Sequence, residues 1–396
     1  MATGPTPTRE RALAPDLARG TMLLLIALAN VRAFVDVPVV GARGYPDPAG
    51  LGLADRLTAT AQLLLVDGRA YPLFGLLFGY GVWQFAARRA RAGLDAGAVV
   101  GLMRRRSMIM IVIGAVHGIA LFSGDIIGAY GLILLIAAGA MVRGSSRDLL
   151  VWSVGAGCVA LVLSTGSGLV GLAADPAPAS YGDAVAAHLG DWPVGGVLAN
   201  GIGVCVTIPL GVLAARLRLL DEPERYRPVL VRLALVGLGC SVVLGAWLAA
   251  VGGGFLPPPS DSAGALMGML HALGGYCGGI GYAAVFGLVG ARGARAPSGR
   301  GPGLQPVRSL GQMSMTGYLW QSVCFVLILA PYGPVGMGAG VSTIGAAALA
   351  IGVWLVSLVG AAALAASGHR GPVEALQRRW TYGPRRGARG SGATRS

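Results

Sequence analysis

Ten apolar runs, most of them about the length needed to cross a bilayer, leave few folds open to this chain. A hydrocarbon core of ~30 Å takes about 20 mostly apolar residues per helix. The runs are Gly20–Val40, Tyr71–Ala87, Arg106–Ser123, Ile126–Val142 and Leu149–Ala173, then Val194–Ala215, Val229–Gly252, Gly264–Gly290, Ser309–Ala330 and Ala339–Ala366. Only 12% of residues are charged, against about 25% in a soluble domain. That is too few to cover a water-facing surface, so a soluble enzyme is excluded. The expected fold is all-α, an integral membrane bundle of about ten transmembrane helices. Only Gly124 and Asp125 separate the third run from the fourth, which predicts a tight antiparallel hairpin. The seventh and tenth runs are long enough to tilt.

The basic residues predict the orientation. All 31 are arginine, and the lack of lysine removes both a Schiff-base lysine and the lysine of a phosphate-binding loop. Arginines crowd the N-terminal segment (Arg9, Arg11, Arg19) and the even-numbered connections: Arg88 to Arg106, Arg143 and Arg147, Arg216 to Arg232, and Arg292 to Arg308. The tail after Ala366 carries seven more. Among the odd-numbered connections only the first holds any (Arg43, Arg56, Arg69), and the fifth is acidic (Asp175, Asp183, Asp191). By the positive-inside rule both termini are cytoplasmic. The expected organisation is a cytoplasmic segment 1–19, a membrane bundle of eight helices over 20–290, a cytoplasmic linker 291–308, two further helices over 309–366 and a basic tail 367–396. The N-terminal residues lack a removable signal, so the first helix is expected to stay. The tail reads as an anchor against anionic inner-leaflet lipid rather than a nucleic-acid arm. The five cysteines (158, 205, 240, 277, 324) sit in apolar runs with no metal-ligand or disulfide spacing, so no metal is expected. The glycine-rich stretch Gly274-Gly275-Tyr276-Cys277-Gly278-Gly279 reads as close helix packing, and no internal repeat is evident.

Ionisable groups inside such helices cost roughly 2.5–3.5 kcal/mol each on insertion scales, so each one asks for a reason. The first run holds Asn30, Arg32 and Asp36; Arg32 and Asp36 lie four apart on one face, placed to pair. His117 lies in the third run, near the midplane and flanked by small residues. Asp125 follows eight residues later, ~12 Å along a helix axis, beyond direct reach of His117. Asp67 and Arg69 precede the second run, beside Leu63–Val66 on the membrane surface. His271 lies in the eighth run, and Tyr318 and Gln321 share a face in the ninth. The distribution fits one water-accessible cavity open to the outside, or scattered interhelical hydrogen bonds.

Several strings resemble the YeiB-like family of membrane proteins, domain of unknown function 418. They are Asp16-Leu17-Ala18-Arg19-Gly20 before the first helix and Asp67-Gly68-Arg69-Ala70-Tyr71-Pro72-Leu73-Phe74 before the second. Gly114 to His117 with Gly124-Asp125-Ile126-Ile127 and Tyr130-Gly131 form a third block. Gly311-Gln312-Met313-Ser314-Met315-Thr316-Gly317-Tyr318-Leu319-Trp320-Gln321-Ser322 and the terminal Gly371-Pro372-Val373-Glu374-Ala375-Leu376 and Arg378-Arg379-Trp380-Thr381-Tyr382-Gly383 complete the set. Gln312 stands where Arg is usual and Gly317 where Asn is usual. The family is distantly similar to membrane acyltransferases and has also been labelled as transporters, so the resemblance leaves both open.

On the acyltransferase reading, His117 is the general base, Asp125 or Asp36 orients it, and Arg32 or Asn30 steadies an oxyanion. Acyl-CoA is a possible donor, no cofactor is held, and the acceptor is a small-molecule or lipid-linked substrate outside. Asp67, Arg69, His271, Tyr318 and Gln321 are candidate substrate contacts. No Gly-x-Ser-x-Gly elbow is present, so a hydrolase triad is not expected. On the transporter reading the same charged groups form a relay; the absence of repeats, and of broken helices apart from Pro209, counts against it. A third reading is a membrane protein without chemistry. The expected location is the cytoplasmic membrane of a bacterium, with no nucleic-acid partner and an oligomeric state the sequence does not specify.

Overall fold

The computed structural model describes residues 13–36, 39–168, 172–173, 177–294 and 303–382. Arg9 and Arg11, residues 295–302 of the linker and the end of the tail lie outside them. The described chain is helical: α1 Leu13–Asn30, α2 Leu53–Leu65, α3 Ala70–Arg91, α4 Ala96–Ala120, α5 Ile127–Arg143, α6 Ser146–Leu163, α7 Tyr181–Asp191, α8 Asn200–Cys205, α9 Thr207–Arg216, α10 Arg227–Gly252, α11 Asp261–Ala294, α12 Gln305–Gln312, α13 Ser314–Ile328, α14 Thr343–Ala366 and α15 Pro372–Tyr382. Among the described residues the one extended pairing is antiparallel and two residues long, Val39–Val40 with Leu172–Ala173.

Five helical stretches among the described residues are long and apolar enough to cross a membrane: Leu13–Phe34, Ser146–Gly168, Arg227–Gly252, Asp261–Arg292 and Thr343–Ala366. The bent pair Tyr181–Cys205 and Thr207–Arg216 makes a sixth. The large apolar side chains left exposed on α6, α10 and α14, among them Val154, Val162, Leu235, Val243, Val356 and Val359, are what a lipid-facing surface requires.

Helix ends depart from the apolar runs for a common reason. Charge ends a membrane span but does not end a helix. So α4 starts ten residues before the expected Arg106, where Asp95 caps it by accepting from the Ala98 N–H at 2.9 Å. Likewise α3 runs on through Arg91, and α1 begins at Leu13, within the segment 1–19 that the sequence places ahead of the first span. There Asp16 is buried and accepts from Gln312 Nε2 at 2.8 Å. At its other end α1 stops at Asn30 and tightens into a 3₁₀ turn, Val31–Phe34.

Two spans are broken, the sixth, where Pro209 marks it in the sequence, and the ninth, where nothing in the sequence does. The sixth, Val194–Ala215, is divided between a wide-wound turn Trp192–Ala199, α8 and α9; with α7 ahead of it the helical path starts at Tyr181, and its axis bends by 43° at Val206. Pro209 has no N–H to give the Cys205 carbonyl, which explains the bend. The ninth breaks at Met313 (φ −116°, ψ 34°), between α12 and α13. The fresh N-terminus of α13 is capped from the tail: Glu374 on α15 accepts from the Met315 N–H at 2.8 Å, the Thr316 N–H at 3.2 Å and Thr316 Oγ1 at 2.6 Å. The start of the tail is therefore a helix docked on α13.

The bundle is held by α10 along α11, α4 along α5 and α3 along α9. Glycines set these approaches. Gly79 and Gly211 let the backbones of α3 and α9 meet, and Gly275 and Gly279 of α11 lie on the backbone of Gly68 and Leu73. α2 lies with Ala59, Gln62 and Leu63 buried and Leu53, Leu57 and Leu65 exposed; the sequence suggested only a short surface stretch there.

Candidate functional site

After Ala120 the chain doubles back at once. The N–H groups of Leu121 and Phe122 both donate to the His117 carbonyl, at 2.9 and 3.0 Å, and the Asp125 N–H donates to the Phe122 carbonyl at 3.1 Å. This reversal brings Asp125 back over the last turn of α4. Its Oδ2 accepts from the Gly128 N–H at 2.7 Å, capping α5. Its Oδ1 lies 2.8 Å from His117 Nδ1. Separation along a straight helix had placed the pair out of reach; the chain reversal brings them into contact. Gly114 makes room, since a side chain there would meet Gly128 and the Asp125 carboxylate. His117 itself sits in the last turn of α4, well beyond mid-helix.

The other imidazole nitrogen, Nε2, lies 2.9 Å from Ser322 Oγ on α13. With a carboxylate on Nδ1 that nitrogen carries the hydrogen, so Nε2 accepts and the serine hydroxyl donates. Ser322, His117 and Asp125 thus form a serine–imidazole–carboxylate chain, with exposures of 3%, 1% and 0%. The arrangement is recognised by geometry, not by sequence order. The Tyr318 ring packs on the imidazole with centroids 4.8 Å apart, one helical turn before Ser322. The face of α13 toward His117 is therefore Tyr318 and Ser322, rather than Tyr318 and Gln321. Gln321 is buried with neither atom of its amide bonded among the described residues.

A second polar cluster forms around Asp67. Its Oδ2 accepts from Arg43 Nε at 2.7 Å and its Oδ1 from Arg32 NH2 at 3.3 Å. Arg32 pairs here and not with Asp36, which is exposed and holds its backbone N–H on the Gly338 carbonyl. Arg69 is fully buried and gives its donors to neutral acceptors: the carbonyls of Leu63, Asp67 and Ser241, and Ser241 Oγ. His271 Nε2 lies 3.1 Å from Arg69 NH1 and 3.6 Å from Asp67 Oδ2. Gly68 turns the chain with φ +75°, a conformation that favours glycine. Burial alone would push the Asp67 carboxyl up, but Arg32 and Arg43 hold it well below the usual carboxylate range.

The polar residues therefore gather in two clusters, not in one cavity. The first takes His117, Asp125 and Tyr318, with Ser322 added; the second takes Arg32, Asp67, Arg69 and His271, with Arg43 and Ser241 added. Asn30 closes α1 half-buried with no capping bond from its side chain, and it joins neither cluster. The two lie on either side of the turn Val31–Phe34. Phe34, two residues from Arg32, packs on Phe122 and Phe325 with ring centroids 5.5 Å apart in each case. Phe122 in turn lies edge-on to His117.

Residues 214–384 match the family described as "Protein of unknown function (DUF418)". The chain is 32% identical over 130 residues to the "Uncharacterized protein YeiB" of Escherichia coli (strain K12), covering 32% of this chain and 30% of that one. It is 27% identical over 165 residues to the "Uncharacterized protein YxaH" of Bacillus subtilis (strain 168), covering 38% and 37%. The similarity thus spans about a third of the length of these relatives. The C-terminal part of the chain, residues 214–384, is thus similar to the DUF418 family, and the two relatives carry the similarity no further than about a third of either chain.

Proposed function

We propose that this is a multi-pass acyltransferase of the bacterial cytoplasmic membrane, with ten crossings and both ends in the cytoplasm, and with Ser322 as its nucleophile. The observation that carries the reading is the buried hydrogen-bonded chain Ser322–His117–Asp125. A serine hydroxyl is a weak nucleophile until a base takes its proton. Here His117 Nε2 takes that proton as Ser322 Oγ bonds to the acyl carbon of a thioester. Asp125 holds the ring in the required tautomer and stabilises the imidazolium that forms. The tetrahedral intermediate then collapses with loss of the C–S bond, and His117 returns the proton to the departing thiolate. An acceptor hydroxyl repeats the sequence in reverse and carries the acyl group away.

The test uses purified protein in detergent and acyl-CoA donors of graded chain length. Wild type is expected to accumulate acyl-Ser322, read by mass spectrometry of its peptides. Ser322→Ala and His117→Gln are expected to lose turnover by at least a hundredfold while melting within a few degrees of wild type. A fully active Ser322→Ala protein would refute the nucleophile. A transport reading draws support from the breaks at Met313 and Val206, since transporters build sites from discontinuous helices. Acyl turnover by solubilised protein separates the two, because transport needs two compartments.

A further inference from the structure

A small cavity lies between the turn Val31–Phe34, the loop at Tyr45 and the start of α14; its polar lining is Arg32, Tyr45, Gln62, Ser342 and Thr343. Three side-chain atoms of that lining are buried with no hydrogen-bond partner among the described residues: Arg32 NH1, Tyr45 Oη and Thr343 Oγ1. Tyr45 is 1% exposed and Thr343 6%. A buried polar atom without a partner costs ~1–3 kcal/mol, so three around one cavity call for something in it. Each can donate, and the guanidinium can only donate.

Charge decides what kind of group that is. Arg32 and Arg43 share the single carboxylate of Asp67, while Arg69 beside them bonds only the main-chain carbonyl of that residue. The cluster thus holds three positive charges against one carboxylate; Arg69 is fully buried and Arg32 and Arg43 are partly so, and a charge withdrawn from water is costly unless paired. Asp55 is nearby, but its Oδ1 already accepts from the Ile344 N–H at 2.8 Å, and Ser342 Oγ accepts from the Gly345 N–H at 3.1 Å. The first turn of α14 is thus already capped, and the cavity's binding capacity resides in the side chains. Arg32 is held in place by Asp67 on one edge and by the Tyr45 ring, 4.9 Å from its central carbon, on its face. That leaves NH1 positioned for a further acceptor.

We propose that this cavity binds one phosphate group, carried by a lipid headgroup or free in solution, through Arg32 NH1, Tyr45 Oη and Thr343 Oγ1. The site is separate from the Ser322 chain and does not depend on it.

The probes are phosphatidylglycerol, phosphate-free diacylglycerol, inorganic phosphate, and sodium chloride at matched ionic strength. Each is added to full-length protein in a maltoside detergent, and melting is followed. Phosphatidylglycerol or inorganic phosphate is expected to raise Tm, with no such rise from diacylglycerol or chloride. A response to the lipid alone assigns a phosphodiester headgroup; a response to inorganic phosphate assigns a soluble ligand. Tyr45→Phe with Thr343→Val removes two donors and leaves the Arg32–Asp67 pair intact. This double variant should melt near or above wild type without ligand, and its apparent affinity for the effective probe should fall at least tenfold. If the double variant melts early, Thr343→Val alone is read by the same criterion. No rise with either phosphate probe, or an undiminished affinity in the variant, would overturn the site and leave a cavity that holds water.

Discussion

Replacing Asp67 by Asn would leave Arg32 and Arg43 against a neutral amide inside the bundle. Removing one partner of a buried ion pair costs more than the pair itself contributes, because the remaining charge is stranded. Asp67→Asn is expected to lose about 3 kcal/mol, read by melting or denaturant titration in detergent. A change below about 0.5 kcal/mol, typical of a surface substitution, would show that the cluster bears little on stability. In wild type, the depressed carboxyl keeps its stabilising contribution at all pH values above the ordinary carboxylate range. That contribution is lost only as pH falls through the lowered value. Asp67, Arg69 and His271 were legible in the sequence as charged groups among apolar ones, but their partners were not. Arg32 and Asp36 look paired at four-residue spacing; the 3₁₀ turn that follows Asn30 removes that shared face. Ser322 was legible only as the end of the Gly311-to-Ser322 string, because a serine in a helix is unremarkable chemistry until His117 is known to face it.

Helices were read from apolar content, which marks lipid contact and not hydrogen bonding. This is why α4 and α3 outran their runs into arginine, and why α2 and α15, each with one apolar face, were not seen as helices. The break at Met313 was equally hidden, since the element that caps it lies sixty residues on in α15. Burial pushes the Glu374 carboxyl up, while its hydrogen bonds from Thr316 and Met315 pull it back down. Between the ordinary carboxylate range and the raised value, the folded protein keeps a proton that the unfolded chain has released. Stability from this group therefore falls as pH rises through that window. Glu374→Gln should remove the slope: the Tm of wild type minus that of the variant is expected to decline from pH 4 to pH 8. A difference that grows with pH would show that the hydrogen bonds from Met315 and Thr316 outweigh burial at Glu374.

The two ends of the bundle differ in charge. Arg88 to Arg91, Arg104 to Arg106, Arg143, Arg147 and Arg216 lie where α3 meets α4 and α5 meets α6, with Arg216 NH2 bonded to the Gly144 carbonyl. Asp183, Asp191 and Asp261 belong to the opposite connections. With the native cysteines replaced, Ser260→Cys should react with an impermeant thiol reagent added to intact cells and Arg147→Cys should not. The reverse pattern would invert the proposed orientation and leave the hydrogen-bonded clusters as they are. Between those ends, Val31–Phe34 serves both clusters: Arg32 reaches Asp67, and Phe34 leans on Phe122 and Phe325 beside His117. One residue of a 3₁₀ helix is ~120° of rotation. A one-residue insertion or deletion there would swing both side chains a third of a turn at once. The length of that turn is therefore a common gauge, and neither cluster can change its register without unseating the other.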